Sequence, residues 1–394
     1  MRDHQSGHLA LSRRHTLGLL VGGLATAATA RAATPKAWAA VDQLGAATLA
    51  DHLEPGFSLS VMKNGAFVYS KGFGFANLET RTPVSPTSVF RIGSVNKQFT
   101  AAALALLAEE GKLSFDDALA KYLPEFPRAA DVTLRQMLNH TSGIGNYTNR
   151  VNPQDMLRAM RADYSSPELL KAMIEHTSPT FVFEPGTDWA YSNTAYVLLG
   201  LVIEKITGEA YAAHVKRRLF EPAGLTRTSV DSAAEIVPDR VSGYTSHPGS
   251  ATEFENAAYI SMTYPGAAGA MRSTSEDLCR WHLALFGGKI VKPTSLEEML
   301  KPGLLKNGQL PEVSRGPGPK KPLKYGFGLG ISELDGRKMI AHSGGIPGFA
   351  SLLTTLPDDH ITVATIANTD DVMRGNFMAR QQAVVDAAIR AALA

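Results

Sequence analysis

A single cysteine, Cys279, in a chain of 394 residues leaves no partner for an internal disulfide. It sits in the amphipathic stretch Ser275-Glu276-Asp277-Leu278-Cys279-Arg280-Trp281-His282-Leu283, where a buried, apolar role is expected. No His-Glu-x-x-His or Cys-x-x-Cys spacing occurs, so a catalytic metal has no support and no cofactor is expected. Net charge is small: 39 Lys and Arg stand against 37 Asp and Glu, for a formal +2, without a basic tract or an aromatic-interleaved patch. That argues against nucleic acid as a partner. The glycines of Gly72-Phe73-Gly74 and Gly326-Phe327-Gly328-Leu329-Gly330 lie in strand-like runs with no helix after them, which excludes a nucleotide loop. A long apolar run is missing too. The stretch Leu17 to Ala30 holds only about 14 apolar-to-small residues, too few for a stable membrane span.

That stretch reads instead as a removed export signal. Ser12-Arg13-Arg14-His15-Thr16-Leu17 precedes it, and Ala30-Arg31-Ala32 offers a cleavage site. The paired arginines resemble a twin-arginine signal, although Thr16 stands where Phe is common. Residues 1–32 are therefore assigned to the signal and 33–394 to the folded domain, with a periplasmic or extracellular destination.

The chemistry is carried by short motifs whose context separates meaningful copies from accidental ones. A chain of this composition should contain roughly one S-x-x-K by chance, and it contains two. Ser60 and Lys63 lie in an alternating, strand-like run, where residues three apart face opposite ways. Ser94 and Lys97 open the helical run Phe99 to Leu107, so they share a face one turn apart. The helix start also directs free N–H groups toward Ser94. Tyr-x-Asn occurs twice as well. Tyr147-Thr148-Asn149 lies in a loop, whereas Tyr191-Ser192-Asn193 directly precedes the apolar helix Ala195 to Ile203, capped by Ser192 or Asn193. A tyrosine held near a lysine can have its pKa drawn down from about 10 toward neutrality, which makes Tyr191 the expected phenolate base. Finally, His342-Ser343-Gly344-Gly345 follows the short apolar run Met339-Ile340-Ala341. Glycines beside an edge strand let a substrate backbone lie alongside. His342, Ser343 and Gly344 would contact the substrate, and the N–H groups of Ser94 and Gly345 would form an oxyanion hole. Together these residues make an acyl-transfer site with a serine nucleophile.

The set resembles the class C β-lactamase and penicillin-binding DD-peptidase family of serine hydrolases, esterase-like members included. The resemblance rests on Phe90-Arg91-Ile92-Gly93-Ser94-Val95-Asn96-Lys97, Leu138-Asn139-His140-Thr141-Ser142-Gly143, Pro185-Gly186 through Tyr191-Ser192-Asn193 to Leu199-Gly200, and His342-Ser343-Gly344 through Phe349. It implies Ser94 as nucleophile, Lys97 and Tyr191 as proton-transfer groups, and Asn193 as donor to the substrate amide. No Glu-bearing loop of the class A kind is evident, so deacylation would also fall to Tyr191. His342 stands where β-lactamases of this family usually carry the lysine of Lys-Thr-Gly. An imidazole there is expected to hold a fraction of a charge at pH 7, rising as the pH falls toward 6.

The expected fold is α/β (α+β): an antiparallel sheet flanked by helices, built from early and late segments, with a mainly helical lobe inserted and the site between lobes. A helix from about 38 to 53, a hairpin at Asn64-Gly65, a strand over Tyr325 to Ile331, a meander through Ser351–Thr355 and Ile361–Ile366, and a last helix from about 372 to 393 are its parts. The Gly-, Pro- and Lys-rich segment 305–323 is expected as an exposed loop. Three functions stay open: a hydrolase of D-amino-acid peptides or β-lactams, a carboxylesterase, and a penicillin-binding or sensing protein with slow turnover. The partner in each is a small molecule or peptide: a cell-wall peptide, a β-lactam or an ester.

Overall fold

The computed structural model describes residues 36–50, 54–149, 152–250, 253–314, 318–370 and 377–394. The export signal expected at residues 1–32 lies outside them. Strand β1 (Gly56–Lys63) turns back into β2 (Ala66–Asn77) through Asn64 and Gly65, whose φ values of 52° and 78° are what a tight two-residue hairpin needs. After β3 (Thr82–Pro83) the chain leaves the sheet and returns as β4 (Gly330–Leu334), β5 (Arg337–Ile346), β6 (Phe349–Leu356) and β7 (Ile361–Ala367). The seven strands run in the order β4-β5-β6-β7-β1-β2-β3. Every neighbouring pair is antiparallel, with β1 closed on β7 from Phe57↔Ala367 to Lys63↔Ile361. The late strands thus complete a sheet begun by the early ones, as expected.

Helices α1 (Lys36–Ala50), α2 (Asn96–Glu109), α3 (Asn193–Thr207), α4 (Ser275–Phe286) and α5 (Phe377–Leu393) frame the sheet and the cleft. Alternation along the strands decides which face each helix covers. Phe57, Leu59 and Val61 point to one face and cluster with Trp38 and Val41 of α1 and Val385 and Ile389 of α5. Met62, Leu353, Ala364 and Ile366 point to the other and join a larger core with α2, α3 and α4. Helix α2 is Ala- and Leu-rich, which suits helix formation, and its residues 96–107 are buried. It is the central post of the inserted region rather than an amphipathic surface helix. Phe99 on it stacks on Trp281 of α4 with ring centroids 4.0 Å apart.

The discarded Ser60–Lys63 pair behaves as strand geometry requires. The Ser60 hydroxyl lies 2.7 Å from Ser275 Oγ on α4, whereas Lys63 reaches the Ala392 carbonyl at the end of α5. Cys279 is fully buried. Two expectations are corrected. Segment 305–323 is not a plain loop, since Glu312–Val313 and Lys321–Pro322 pair as a small antiparallel ribbon. The strand expected from Tyr325 begins only at Gly330, because Gly326 is pressed against Met299 and Gly328 turns the chain at φ 68°; a Cβ on Gly326 would sit 2.1 Å from the Met299 carbonyl oxygen. The last helix begins at Phe377, and residues 371–376 lie outside the described ones.

One buried carboxyl ties α5 to the sheet. Glu54 is 3% exposed; its Oε2 accepts from Gln381 Nε2 at 2.7 Å, and Gln381 Oε1 accepts from Thr365 Oγ1 at 2.8 Å. Burial raises the Glu54 carboxyl from 4.5 to about 7, despite the Gln381 bond and Arg380 opposing. Between those values the native state holds a proton that the unfolded chain has released, so stability falls as pH rises through that window, by about 3 kcal/mol in all. Denaturant midpoints measured at pH 5 and pH 8 should differ less in Glu54→Gln than in the wild type. Equal pH dependence in the two proteins would show that Glu54 ionises normally in the fold.

Candidate active site

The short strand Phe90–Arg91 pairs with Met271–Ser273, and Ile92 N–H continues that pairing to the Met271 carbonyl. The chain then turns sharply at Gly93, φ 49°, into a single 3₁₀ turn, Gly93–Val95, that feeds α2. Ser94 sits in that turn and Lys97 in the first turn of α2, which brings Lys97 Nζ within 3.0 Å of Ser94 Oγ. The Ser94 hydroxyl does not cap the helix: Val95 is the cap residue and no side chain bonds the free N–H groups there.

Lys97 is fully buried, and its other hydrogen-bond partners are Asn193 Oδ1 at 2.8 Å and the Ala268 carbonyl at 2.7 Å. Among the described residues no carboxylate pairs with it. Burial alone pulls its pKa well below the ordinary lysine value. The rings of Tyr191 and Tyr196 lie 4.8 Å and 5.4 Å from Nζ and favour a cation. That attraction is worth about 0.5–2 kcal/mol, less than the several kcal/mol opposing an unpaired buried ion. A neutral amine offers two N–H donors and one lone pair. Two of its three partners are carbonyl oxygens that can only accept, and the third is the hydroxyl of Ser94, which can donate.

Tyr191 comes from the segment that enters α3. Ser192 caps that helix, its hydroxyl accepting from Ala195 N–H at 3.1 Å, and Asn193 is the first helical residue. The segment is held by His140, a residue not singled out as a site candidate. His140 is fully buried with φ 65°; its carbonyl accepts from Ala190 N–H and its Nδ1 from Ser192 N–H at 3.2 Å. Its ring lies 4.4 Å from that of Tyr191. The signal was present in the Asn139-His140-Thr141-Ser142-Gly143 stretch, but nothing local says what the histidine holds. The expectation of a lowered tyrosine pKa is overturned. Burial pushes the Tyr191 phenol above its ordinary range, with the Ser94 hydroxyl pulling the other way more weakly. The aromatic surroundings remove water without supplying a fixed cation, so the phenol keeps its proton at neutral pH. Its Oη is buried; the Ser94 hydroxyl is near enough for that weak pull, but no described residue meets it in standard hydrogen-bond geometry.

Strand β5 brings the third element. It pairs with β4 only as far as Ala341, and with β6 through Ile346, so among the described residues the stretch Ser343 to Ile346 is unpaired on its β4 side. The backbones of β5 and the nucleophile turn touch: a Cβ on Gly344 would lie 2.0 Å from the Ile92 carbonyl oxygen and 3.0 Å from Ser94 N, and one on Gly93 would lie 2.8 Å from Gly345 N. Ser351 Oγ on β6 donates to the same Ile92 carbonyl at 2.8 Å. Ser94 and Gly345 therefore border the cleft side by side. His342 also lines it, but not as the titrating group expected. Its Nδ1 lies 2.6 Å from the Ser343 carbonyl and must carry the hydrogen, while Nε2 lies 2.9 Å from the Tyr325 hydroxyl and accepts. Both ring nitrogens are thereby satisfied in the neutral form. Burial pushes the pKa down to about 3, so no imidazolium accumulates between pH 7.5 and 6.

Two cavities flank Ser94. One of about 220 Å³ is lined by Tyr147, Thr148, Asn193, Tyr264, Gly269 and Gly345 among others. Tyr147 and Thr148 belong to the Tyr-x-Asn copy set aside as a plain loop; the turn they form folds back beside α3, with Tyr147 N–H donating to Thr194 Oγ1. The other cavity, about 510 Å³, is lined by Trp189, Tyr191, Lys324, Tyr325, His342 and Ser343 among others. Asn193 Nδ2 donates a long hydrogen bond to Thr148 Oγ1 at 3.5 Å, and both residues line the smaller cavity. No group of three or more His, Cys, Asp or Glu among the described residues is placed to hold a metal ion.

A serine within reach of a buried amine, a second proton-carrying group and an open strand edge, on an antiparallel sheet with a helical insertion, define a serine hydrolase of the β-lactamase/transpeptidase fold. The chain belongs to the β-lactamase family, whose sequence profile matches residues 41–387. It is 32% identical over 324 residues to penicillin-binding protein 4* of Bacillus subtilis (strain 168), covering 78% of this chain and 67% of that protein. In structure it is similar to the octameric penicillin-binding protein homologue from Pyrococcus abyssi, with a TM-score of 0.74 and 27% identity over 88% of this chain and 77% of that one. It is equally similar to the D-amino acid amidase from Ochrobactrum anthropi SV3, with a TM-score of 0.73 and 26% identity over 89% and 98% of the two chains.

The glycine contacts give a test of the site's construction. Gly344→Ala must push the nucleophile turn off β5, and a displacement of that kind should reduce kcat/KM by about 100-fold or more. Gly345 has open space where a Cβ would go, so Gly345→Ala should leave folding stability within about 0.5 kcal/mol of the wild type. Melting temperatures and single-substrate kinetics on the two variants would check this; full activity in Gly344→Ala would mean that the two backbones are not in contact.

Proposed function

We propose that this protein is an exported hydrolase that cleaves amide bonds of D-amino-acid peptides, or the related β-lactam ring, through an acyl-enzyme on Ser94. The observation that carries the reading is the set of partners around Lys97: two acceptors and one hydroxyl, with no counterion among the described residues. In acylation Lys97 takes the Ser94 proton as Oγ attacks the carbonyl carbon, and the N–H groups of Ser94 and Gly345 stabilise the oxyanion. Tyr191 gives its phenolic proton to the departing nitrogen as the C–N bond breaks. The site is left with a lysine ammonium beside a phenolate, a pair that stabilises itself although neither charge is stable alone. In deacylation the phenolate takes a proton from water, the hydroxide oxygen attacks the acyl carbon, and the expelled Ser94 oxygen recovers the proton held by Lys97. Protons balance over the cycle, and Tyr191 serves as acid first and base second.

Similarity to a D-amino acid amidase and to penicillin-binding proteins supports a D-amino-acid substrate. The export part of the proposal rests on Arg13-Arg14 and the apolar run after them. A carboxylesterase is the second reading, favoured by the neutrality of His342, which removes the cation that would grip a substrate carboxylate at that position.

Two measurements test the mechanism. Peptide mapping after a penicillin or a fluorophosphonate should place the adduct on Ser94, and an adduct on Ser60 or Ser192 would overturn the assignment. Tyr191→Phe removes the acid that a poor leaving group needs, so kcat for an amide should fall about 100-fold or more, while acylation by a p-nitrophenyl ester, whose leaving group departs unprotonated, should fall much less. Equal losses on both substrates would mean that Tyr191 only supports the site.

A further inference from the structure

The two cavities beside Ser94 differ in charge. The smaller one has no Asp, Glu, Lys, Arg or His among its lining residues. The larger has a single Lys or Arg, Lys324, and no carboxylate among the described residues. Lys324 is exposed and forms no ion pair with a described residue. Its backbone is pinned on both sides: the Lys324 carbonyl accepts from Ile331 N–H at 2.9 Å on β4, and the preceding Leu323 N–H donates to the Pro311 carbonyl at 2.8 Å. The following residue, Tyr325, is the one bonded to His342. The backbone that carries the lysine is thus a fixed part of the cleft wall and not a loose loop.

Which product occupies which cavity follows from the proton donor. Tyr191 lines the larger cavity and Asn193 the smaller. If Tyr191 protonates the departing nitrogen, the leaving group lies in the larger cavity and the acyl portion in the uncharged one. A leaving amino acid with a free carboxylate then meets a cavity in which the one Lys, Arg, Asp or Glu among the described lining residues is Lys324. Among those residues its charge is the feature that separates an anionic leaving group from a neutral one.

We infer that Lys324 is the specificity-determining residue for the leaving group, favouring one that carries a carboxylate over a neutral one. This rests on the acyl-enzyme reading given above. The position equivalent to the missing Lys-Thr-Gly lysine is occupied by His342 on β5, and the charge is supplied from the segment ahead of β4.

The test compares kcat/KM for an acyl-D-alanyl-D-alanine peptide and for its C-terminal amide, with a p-nitrophenyl ester turned over in parallel. The wild type should favour the free acid by about fivefold at low salt, as expected for an exposed cation in a cleft, and the preference should shrink as salt is raised. Lys324→Met should bring the ratio close to one, Lys324→Glu should invert it, and Lys324→Arg should retain it. A wild-type ratio of one, or a ratio that survives in Lys324→Met, overturns the role of Lys324 while leaving the peptidase reading intact. A wild type that turns over the ester but neither peptide overturns the peptidase reading and this inference with it.

Discussion

Enclosing the Lys97 amine with no carboxylate partner among the described residues is the constraint from which the rest of the cleft follows. A buried ammonium with no counterion is opposed by several kcal/mol, and the rings of Tyr191 and Tyr196 offset only part of that. His140 and His342 are held neutral by burial, and the phenols of Tyr191, Tyr196 and Tyr325 are pushed above their ordinary range by the same cause. The result is a polar but uncharged interior in which a proton can move from oxygen to nitrogen without a large electrostatic change in the ground state. In the proposed cycle acylation places opposite charges on Lys97 and Tyr191, and the low-dielectric surroundings strengthen their attraction. On that proposal burial keeps the base ready before reaction and holds the charged pair together afterwards.

Geometry of this kind needs rigid supports, and they come from backbone contacts more than from side chains. Gly93 and Gly344 let the nucleophile turn and β5 touch, and Ser351 fixes the turn to β6 through the Ile92 carbonyl. The absence of two β-carbons thus sets the distance between the nucleophile and the strand edge beside it. Helix α2, buried on all sides, carries Lys97 into place. Helix α3 and His140 do the same for Tyr191 and Asn193 from the opposite wall. The sheet built from the two ends of the chain is the platform on which these parts meet.

Much of this arrangement is legible in the sequence because it depends on local spacing. Ser94 and Lys97 three apart at a helix start, Ser192 just ahead of an apolar helical run, and a strand running into glycines each follow from chain geometry alone; that this strand is internal to the sheet, with only its Ser343–Ile346 end open, does not. The antiparallel sheet is legible for the same reason, in its alternation and its Asn-Gly and Asp-Gly turns. What sequence does not reveal is the environment contributed by distant segments. Tyr191 reads as an acidified phenol beside a lysine; of the rings around it only Trp189 is a sequence neighbour, while those of His140 and His342 come from two distant stretches. His342 reads as a group titrating near pH 6, and only its contact with Tyr325 reveals that both nitrogens are taken. Tyr147 and Thr148 read as a loop because the fold-back that sets them beside α3 has no local signature.

The central claim is the protonation state of Lys97 in the resting enzyme, and it can be observed directly. In protein labelled with ¹⁵N-lysine, the Nζ resonance of Lys97, assigned by its absence from Lys97→Met, should have the chemical shift of a neutral amine at pH 7. It should change to that of an ammonium only on acidification. A resonance that is already that of an ammonium at pH 7, and titrates near the ordinary lysine value of about 10.4, would contradict the account and return the role of base to Tyr191.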